Sequence, residues 1–308
     1  MTRAFFFAAL CIASWSLIPV VAKVTTQDIT PLQFLLLSNV LSAFVCGAVA
    51  LTRAPSVAGL LAEARGNLLR TALPGFLGCY LFYLCLYHGY AVGDGMAVLV
   101  VQYLWPVLIV LLAPLVTRER IGAVGVVAVL LGFAGSAVVA TKGNFTALPA
   151  QDLPTLGIVL IGAASFALYS LLSRNVPGEG MLLTFGFFAW GAVFSLITVW
   201  LGDGLAWPSS GKAWAGLLLN GCIINGLSYF WWLRALQLAP PSRIAPLVFL
   251  APVLATIWLV VFFQAPFHPI YLLGLALSIT AGLIATGAGH RARTSITNGT
   301  VAPGDIRD

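Results

Sequence analysis

Tyr80, Tyr83 and Tyr87 recur at i, i+3 and i+7, a spacing that puts all three on one face of an α-helix. Asn225, Tyr229 and Trp232 recur at i, i+4 and i+7 and form a second such face. Rings that stack beside hydroxyl and amide groups suit the capture of an amphipathic molecule rather than bond-making chemistry. Gln102 lies one turn ahead of Trp105-Pro106 and is the leading polar candidate. Trp15, Tyr169 and Trp190 complete the candidate substrate-binding set. The competing role for tyrosines near helix ends is the interfacial belt, and that role is expected for Tyr87 and Tyr90. Tyr83, Tyr229 and Trp232 sit deeper in their apolar runs, where a cavity is the better expectation.

Four midspan prolines, Pro19, Pro106, Pro246 and Pro252, each remove a helix hydrogen bond and can free a carbonyl toward a cavity. They form the candidate hinge or kink set; for Pro19 and Pro246 an inert bend is equally open. The midspan polar residues Ser14, Ser16, Ser38, Asn39 and Asn220 read first as glue between helices, since an amide or hydroxyl in hydrocarbon needs a partner. No nucleophile–base pair, phosphate loop or metal-ligand spacing occurs, so neither an enzyme, a cofactor nor a metal site is expected. The five cysteines, Cys11, Cys46, Cys79, Cys85 and Cys222, all fall in apolar runs and read as small packing residues. His88, near the end of its run, reads as interfacial. No Asp, Glu, Lys or Arg lies at midspan, although proton and sodium coupling commonly use such groups.

The elements that position these residues follow from composition. The 308 residues are 60% apolar and 8% charged, whereas a soluble domain carries about 25% charged residues. The chain is therefore read as an all-α polytopic membrane protein. Charge-free runs span 4–22, 29–52, 71–93, 95–117, 121–141, 153–173, 180–202 and 213–233, each long enough for one crossing of about 20 residues. The run 244–289 is too long for one crossing, and Gln264-Ala-Pro-Phe-His-Pro269 divides it into helices near 244–263 and 270–288. The expected total is ten transmembrane helices. The first run is taken as a retained helix rather than a signal peptide, because no small-x-small cleavage site closes it. Residues 53–70 are expected to form an amphipathic surface helix, and 291–308 a disordered cytoplasmic tail.

Ten helices put both termini on one side. That side receives Arg3, Arg53, Arg65, Arg70, Arg118, Arg120, Arg174, Arg234, Arg243, Arg291, Arg293 and Arg307, and the other only Lys23, Lys142 and Lys212. The positive-inside rule then places both termini in the cytoplasm. The net charge of +6 has this topological use, so nucleic acid is not expected as a partner. The lipid bilayer and a small-molecule substrate are.

A shift of 146 residues brings Gly75 onto Gly221, Tyr83 onto Tyr229, Leu104 onto Leu250, Pro106 onto Pro252 and Val107 onto Val253. The small-residue ridge Ala128, Gly132, Ser136 lands on Gly274, Ser278, Gly282. Ridges of this kind allow close helix packing, within a half or at a homodimer contact. The register predicts an internal duplication, with residues 1–144 and 145–290 as two five-helix repeats. Five is odd, so the second repeat enters the membrane inverted, a plan of secondary transporters that hold substrate at the repeat interface.

This pattern resembles the drug/metabolite transporter superfamily (EamA-type) and, within it, the bacterial aromatic amino-acid exporter branch. Ala13-Ser14-Trp15-Ser16 with Lys23 and Pro31 carry the resemblance in the first half. Ala164-Ser165-Phe166 and Arg174 carry it in the second, with Leu104-Trp105-Pro106-Val107 answered by Leu250-Ala251-Pro252-Val253. Many members have an Arg in the second helix; this chain reads Ser38-Asn39 there, so no substrate role is carried over from that Arg. The resemblance implies a bacterial inner-membrane exporter of small metabolites, with helices 5 and 10 peripheral to a central cavity. The expected substrate is a small neutral amphipathic metabolite, amino acids including aromatic ones foremost, carried by alternating access down its gradient. The alternatives are a drug or other metabolite exporter of the same superfamily, or a channel.

Overall fold

The computed structural model describes residues 2–25, 28–93, 95–118, 122–144, 153–202, 204–264 and 268–297. These form an all-helical bundle, with no strand among the described residues. We number the helical rods in chain order. α1 is Thr2–Trp15, resumed as Ile18–Thr25; α2 is Pro31–Arg53; α3 is Val57–Val92; α4 is Gly95–Gln102 followed by Trp105–Thr117; α5 is Ala123–Thr141. α6 is Leu153–Ser173; α7 is Gly180–Leu201; α8 is Gly211–Leu238; α9 is Pro241–Phe262; α10 is Ile270–Thr297. Among the described residues eight rods, α2 to α9, are long and apolar enough to cross a membrane, while α1 and α10 hold the shorter apolar helices Thr2–Trp15 and Ile270–Ala285.

Local chemistry sets several of the starts. At α2 the Thr30 hydroxyl accepts from the Gln33 amide at 3.3 Å, Gln33 Oε1 accepts from the Thr30 amide at 3.0 Å, and Pro31 fills the first turn. Gln33 Nε2 also donates to the Gly204 carbonyl at 2.9 Å, tying α2 to the loop before α8. In the same region Asp28 Oδ2 accepts from the Ser210 amide at 2.8 Å and from Ser209 Oγ at 3.1 Å, and these bonds hold its carboxyl below the usual carboxylate range.

The expected surface helix over 53–70 is not a separate element. Val57–Pro74 runs unbroken into the π-helical stretch Gly75–Leu81 and on through Phe82–Val92. Pro74 has no N–H to give the preceding turn, and the wider π-turn follows it directly. α8 is built alike, with a π-helical stretch at Asn220–Leu227. A π-turn leaves carbonyls poorly satisfied inside hydrocarbon, and neighbouring helices supply the donors. Ser165 Oγ donates to the Leu77 carbonyl at 3.1 Å, Tyr229 OH to Gly78 at 3.2 Å and Asn39 Nδ2 to Cys79 at 3.0 Å. In α8, Ser42 Oγ donates to Gly221 at 2.7 Å and Cys46 Sγ to Gly226 at 3.5 Å. Asn220 Nδ2 reaches Ser38 Oγ at 2.9 Å. The midspan serines and asparagines of α2 are thus glue.

The breaks differ from simple proline kinks. α4 unwinds at Tyr103-Leu104 and restarts with Pro106 in its first turn, where a missing N–H costs nothing. α9 carries Pro246 in a 3-10 turn, Ala245–Phe249, and Pro252 just inside the following helix. Pro19 lies at the start of the resumed half of α1. α4 ends at Arg118 with φ 56° and α9 at Gln264 with φ 51°, both left-handed caps without glycine.

The small residues bring helices together within the chain. They let α5 and α10 touch inside it, where a Cβ on Gly135 would lie 2.8 Å from the Gly274 carbonyl, and one on Gly274 as close to that of Gly135. Ser136 and Ser278 are buried. At the C-terminus the described part of α10 runs to Thr297. Residues 298–308 of the expected tail lie outside the described residues.

Candidate functional site: a ring-lined cavity

A cavity of about 730 Å³ runs into the bundle between α1, α3, α4, α8 and α9. Its mouth lies among Pro31 at the start of α2, Tyr90 near the end of α3, Lys142 at the end of α5 and Tyr271 at the start of α10. Its inner end is formed by Trp15, Trp105, Phe166 and Tyr229, all buried. The rings meet edge to face: Trp15 and Trp105 at 5.8 Å and 83°, Trp105 and Phe166 at 4.8 Å and 68°, Phe166 and Tyr229 at 5.8 Å and 86°. Such pairs are worth about 0.5–1.5 kcal/mol each beyond area burial.

Hydrogen bonds fix the rings. Trp15 Nε1 donates to Ser228 Oγ at 2.8 Å, and that hydroxyl donates in turn to the Ile224 carbonyl of the α8 π-stretch. Tyr83 OH donates to Asn225 Oδ1 at 3.2 Å, and Tyr229 OH lies 3.2 Å from Tyr83 OH. Nearer the mouth, Tyr90 OH donates to Gln102 Oε1 at 3.3 Å.

Of the candidate set, Trp15, Tyr83, Gln102, Asn225 and Tyr229 line the cavity, as does Pro252 of the kink set. Trp232 is one layer below: it is fully buried against Trp15 at 5.4 Å and Trp105 at 5.5 Å, with Nε1 donating to Ser170 Oγ at 3.0 Å. Tyr169 is also fully buried, among Phe166, Phe187 and Tyr229. Tyr80 turns the other way. Its hydroxyl meets Thr198 Oγ1 at 2.6 Å and its ring packs on Phe194 of α7. The i, i+3, i+7 argument fails for Tyr80 because it sits inside the π-stretch, where the angle per residue is no longer that of an α-helix. Trp190 stacks on Phe194 at 5.9 Å and donates to the Leu68 carbonyl at 2.8 Å.

Tyr87 and Tyr90, expected in the interfacial belt, line the cavity instead, together with Tyr103, Trp105, Phe166 and Asn220. Tyr87 and Tyr90 follow Tyr83 at i+4 and i+7 on the fully α-helical part of α3, and that spacing was the available signal. Among the described residues the only charged side chain in the wall is that of Lys142, at the mouth. No cluster of metal ligands occurs among the described residues.

A chain of apolar helices wrapped around a neutral, ring-lined cavity that opens at one end has the build of a small-molecule transporter. The sequence agrees. The chain belongs to the EamA-like transporter family, which matches residues 2–141 and 153–287. Aromatic amino acid exporter YddG of Ancylobacter novellus is 30% identical over 191 residues, 61% of this chain, and the match spans 63% of that exporter's length. One solved crystal structure shares the fold with a TM-score of 0.82 at 22% identity, covering 95% of this chain and 99% of that one.

Proposed function

We propose that the protein exports small neutral amphipathic metabolites, aromatic amino acids foremost, across the bacterial inner membrane by alternating access. The observation that carries this reading is the cavity itself. At about 730 Å³ it is within the range of small-molecule sites, and its deep wall is rings with hydroxyl and amide groups but no charge. A substrate ring stacks on Trp15, Trp105 or Tyr229, and its polar end is received by Tyr83, Asn225 and Gln102. The named exporter relative supports an aromatic amino acid as the first substrate to try.

The reading takes α1 to α10 as ten crossings in two inverted halves, 1–144 and 145–290. Four features support it. The family matches the chain in two successive stretches of similar length. The π-stretches of α3 and α8 coincide in the register of 146, as do the left-handed caps Arg118 and Gln264. The hydroxyls of Tyr83 and Tyr229, equivalent in that register, lie 3.2 Å apart. The arginine bias puts both termini in the cytoplasm, and the cavity mouth at Lys142 then faces outward.

The test is uptake of labelled phenylalanine and tryptophan into proteoliposomes. Tyr83→Ala and Gln102→Ala are expected to lower uptake at wild-type protein level, as is Trp232→Ala, which removes the support beneath Trp15. Ser278→Ala, on the α10 ridge, is expected to leave uptake nearly unchanged. Normal uptake by all three variants would move the site elsewhere.

A further inference from the structure

Two near-equivalent halves that exchange conformations also exchange the surroundings of their residues. The wall of the opposite access state is then obtained by moving each present wall residue 146 positions along the chain. This step rests on the transport reading above. Three pairs of the present wall map onto each other: Tyr83 with Tyr229, Gln102 with Val248, and Trp105 with Ala251. The neighbours of Tyr83 on α3 do not. Leu86, Tyr87 and Tyr90 map onto Trp232, Leu233 and Leu236 of α8, all three fully buried in this structure.

We propose that the three self-mapping pairs face the substrate in both access states, and that Trp232, Leu233 and Leu236 become the wall of a second vestibule at the opposite end of the bundle, beside Arg234. Opening it requires the Trp232 contacts with Trp15 and Trp105 to part. The two vestibules differ in chemistry. The present one offers the hydroxyls of Tyr87 and Tyr90, and the second puts two leucines in their places. A substrate therefore keeps the Tyr83 and Tyr229 hydroxyls and the Gln102 amide throughout, and meets Tyr87 and Tyr90 from one side only. The shared site is also uneven. Trp105 faces the cavity from α4, while α9 supplies only a methyl at the equivalent Ala251, which leaves one side of the site open to a planar ring.

The test places single cysteines at Tyr90, Gln102 and Leu236 in a cysteine-free chain that retains phenylalanine counterflow. Each is exposed to a membrane-impermeant thiol reagent from either side of oriented vesicles. Tyr90→Cys is expected to react from the cavity side only and Leu236→Cys from the opposite side only. Gln102→Cys is expected to react from both. Where Leu236→Cys does not fold, Leu233→Cys carries the same test. Reaction of Gln102→Cys from one side alone overturns the shared site. An unreactive Leu236→Cys in a chain whose Gln102→Cys reacts from both sides overturns the second wall and leaves the transport reading standing. Loss of counterflow in the wild-type chain overturns that reading, and the proposal with it.

Discussion

Gly78 lies in the α3 π-stretch directly behind the ring cluster, and the substitution Gly78→Ala tests how tightly that cluster is held. A Cβ there would come within 2.6 and 2.7 Å of the two Cδ atoms of Tyr169, and closer still to Cγ. Ordinary contact needs roughly 3.4–4 Å, so the ring would have to retreat by about 1 Å. Tyr169 has no exposed surface and is backed by Phe166 at 5.4 Å and Phe187 at 5.7 Å, so it has nowhere to go. Overpacking of a filled core costs about 1–3 kcal/mol, and alanine returns roughly 0.5–1 kcal/mol of backbone entropy in a helix. The expected net loss is about 1.3 kcal/mol, close to ninefold in the folded-to-unfolded ratio. Gly66→Ala is the control: nothing lies within 4 Å of its Cβ, so only the backbone gain remains. Thermal stability of the detergent-solubilised protein, read by size-exclusion fluorescence, should fall for Gly78→Ala and hold or rise for Gly66→Ala. Equal melting of Gly78→Ala and the wild type would refute the packing of Tyr169 against α3.

Three further outcomes are expected. Tyr169→Phe should leave stability unchanged or improved within about 1 kcal/mol, and uptake intact, because the buried hydroxyl has no hydrogen-bond partner among the described residues; a large loss of uptake would return Tyr169 to the substrate site. Cysteines replacing Lys142 and Lys212 in a cysteine-free chain should label from outside intact cells, and protection of both would sink the ten-crossing topology. Uptake should persist without a proton or sodium gradient, since no carboxylate lines the cavity among the described residues; strict dependence on an imposed pH gradient in liposomes would refute this.

Much of the bundle was legible because apolar runs bounded by arginines fix helices through the cost of charge in hydrocarbon. That Tyr83 and Tyr229 both line the cavity was legible from their depth in their apolar runs and from the ring-bearing faces they lie on. The π-stretches were not. A wider turn changes which face a residue occupies without changing composition, and Tyr80 was misplaced for that reason. Trp232 lies one layer below the cavity wall, a depth that helical spacing does not give. Tyr87 and Tyr90 line the cavity. Nearness to a helix end suggests the lipid interface, but a cavity mouth lies at the same height.

The central claim is that the ring-lined cavity carries a neutral aromatic amino acid by alternating access. Counterflow in proteoliposomes tests it most directly: vesicles loaded with unlabelled phenylalanine are diluted into a trace of labelled phenylalanine with no ion gradient. The account predicts a transient overshoot of label inside that is present for the wild type and diminished for Tyr83→Ala and Gln102→Ala. Label that equilibrates without overshoot would contradict a carrier and point to a channel.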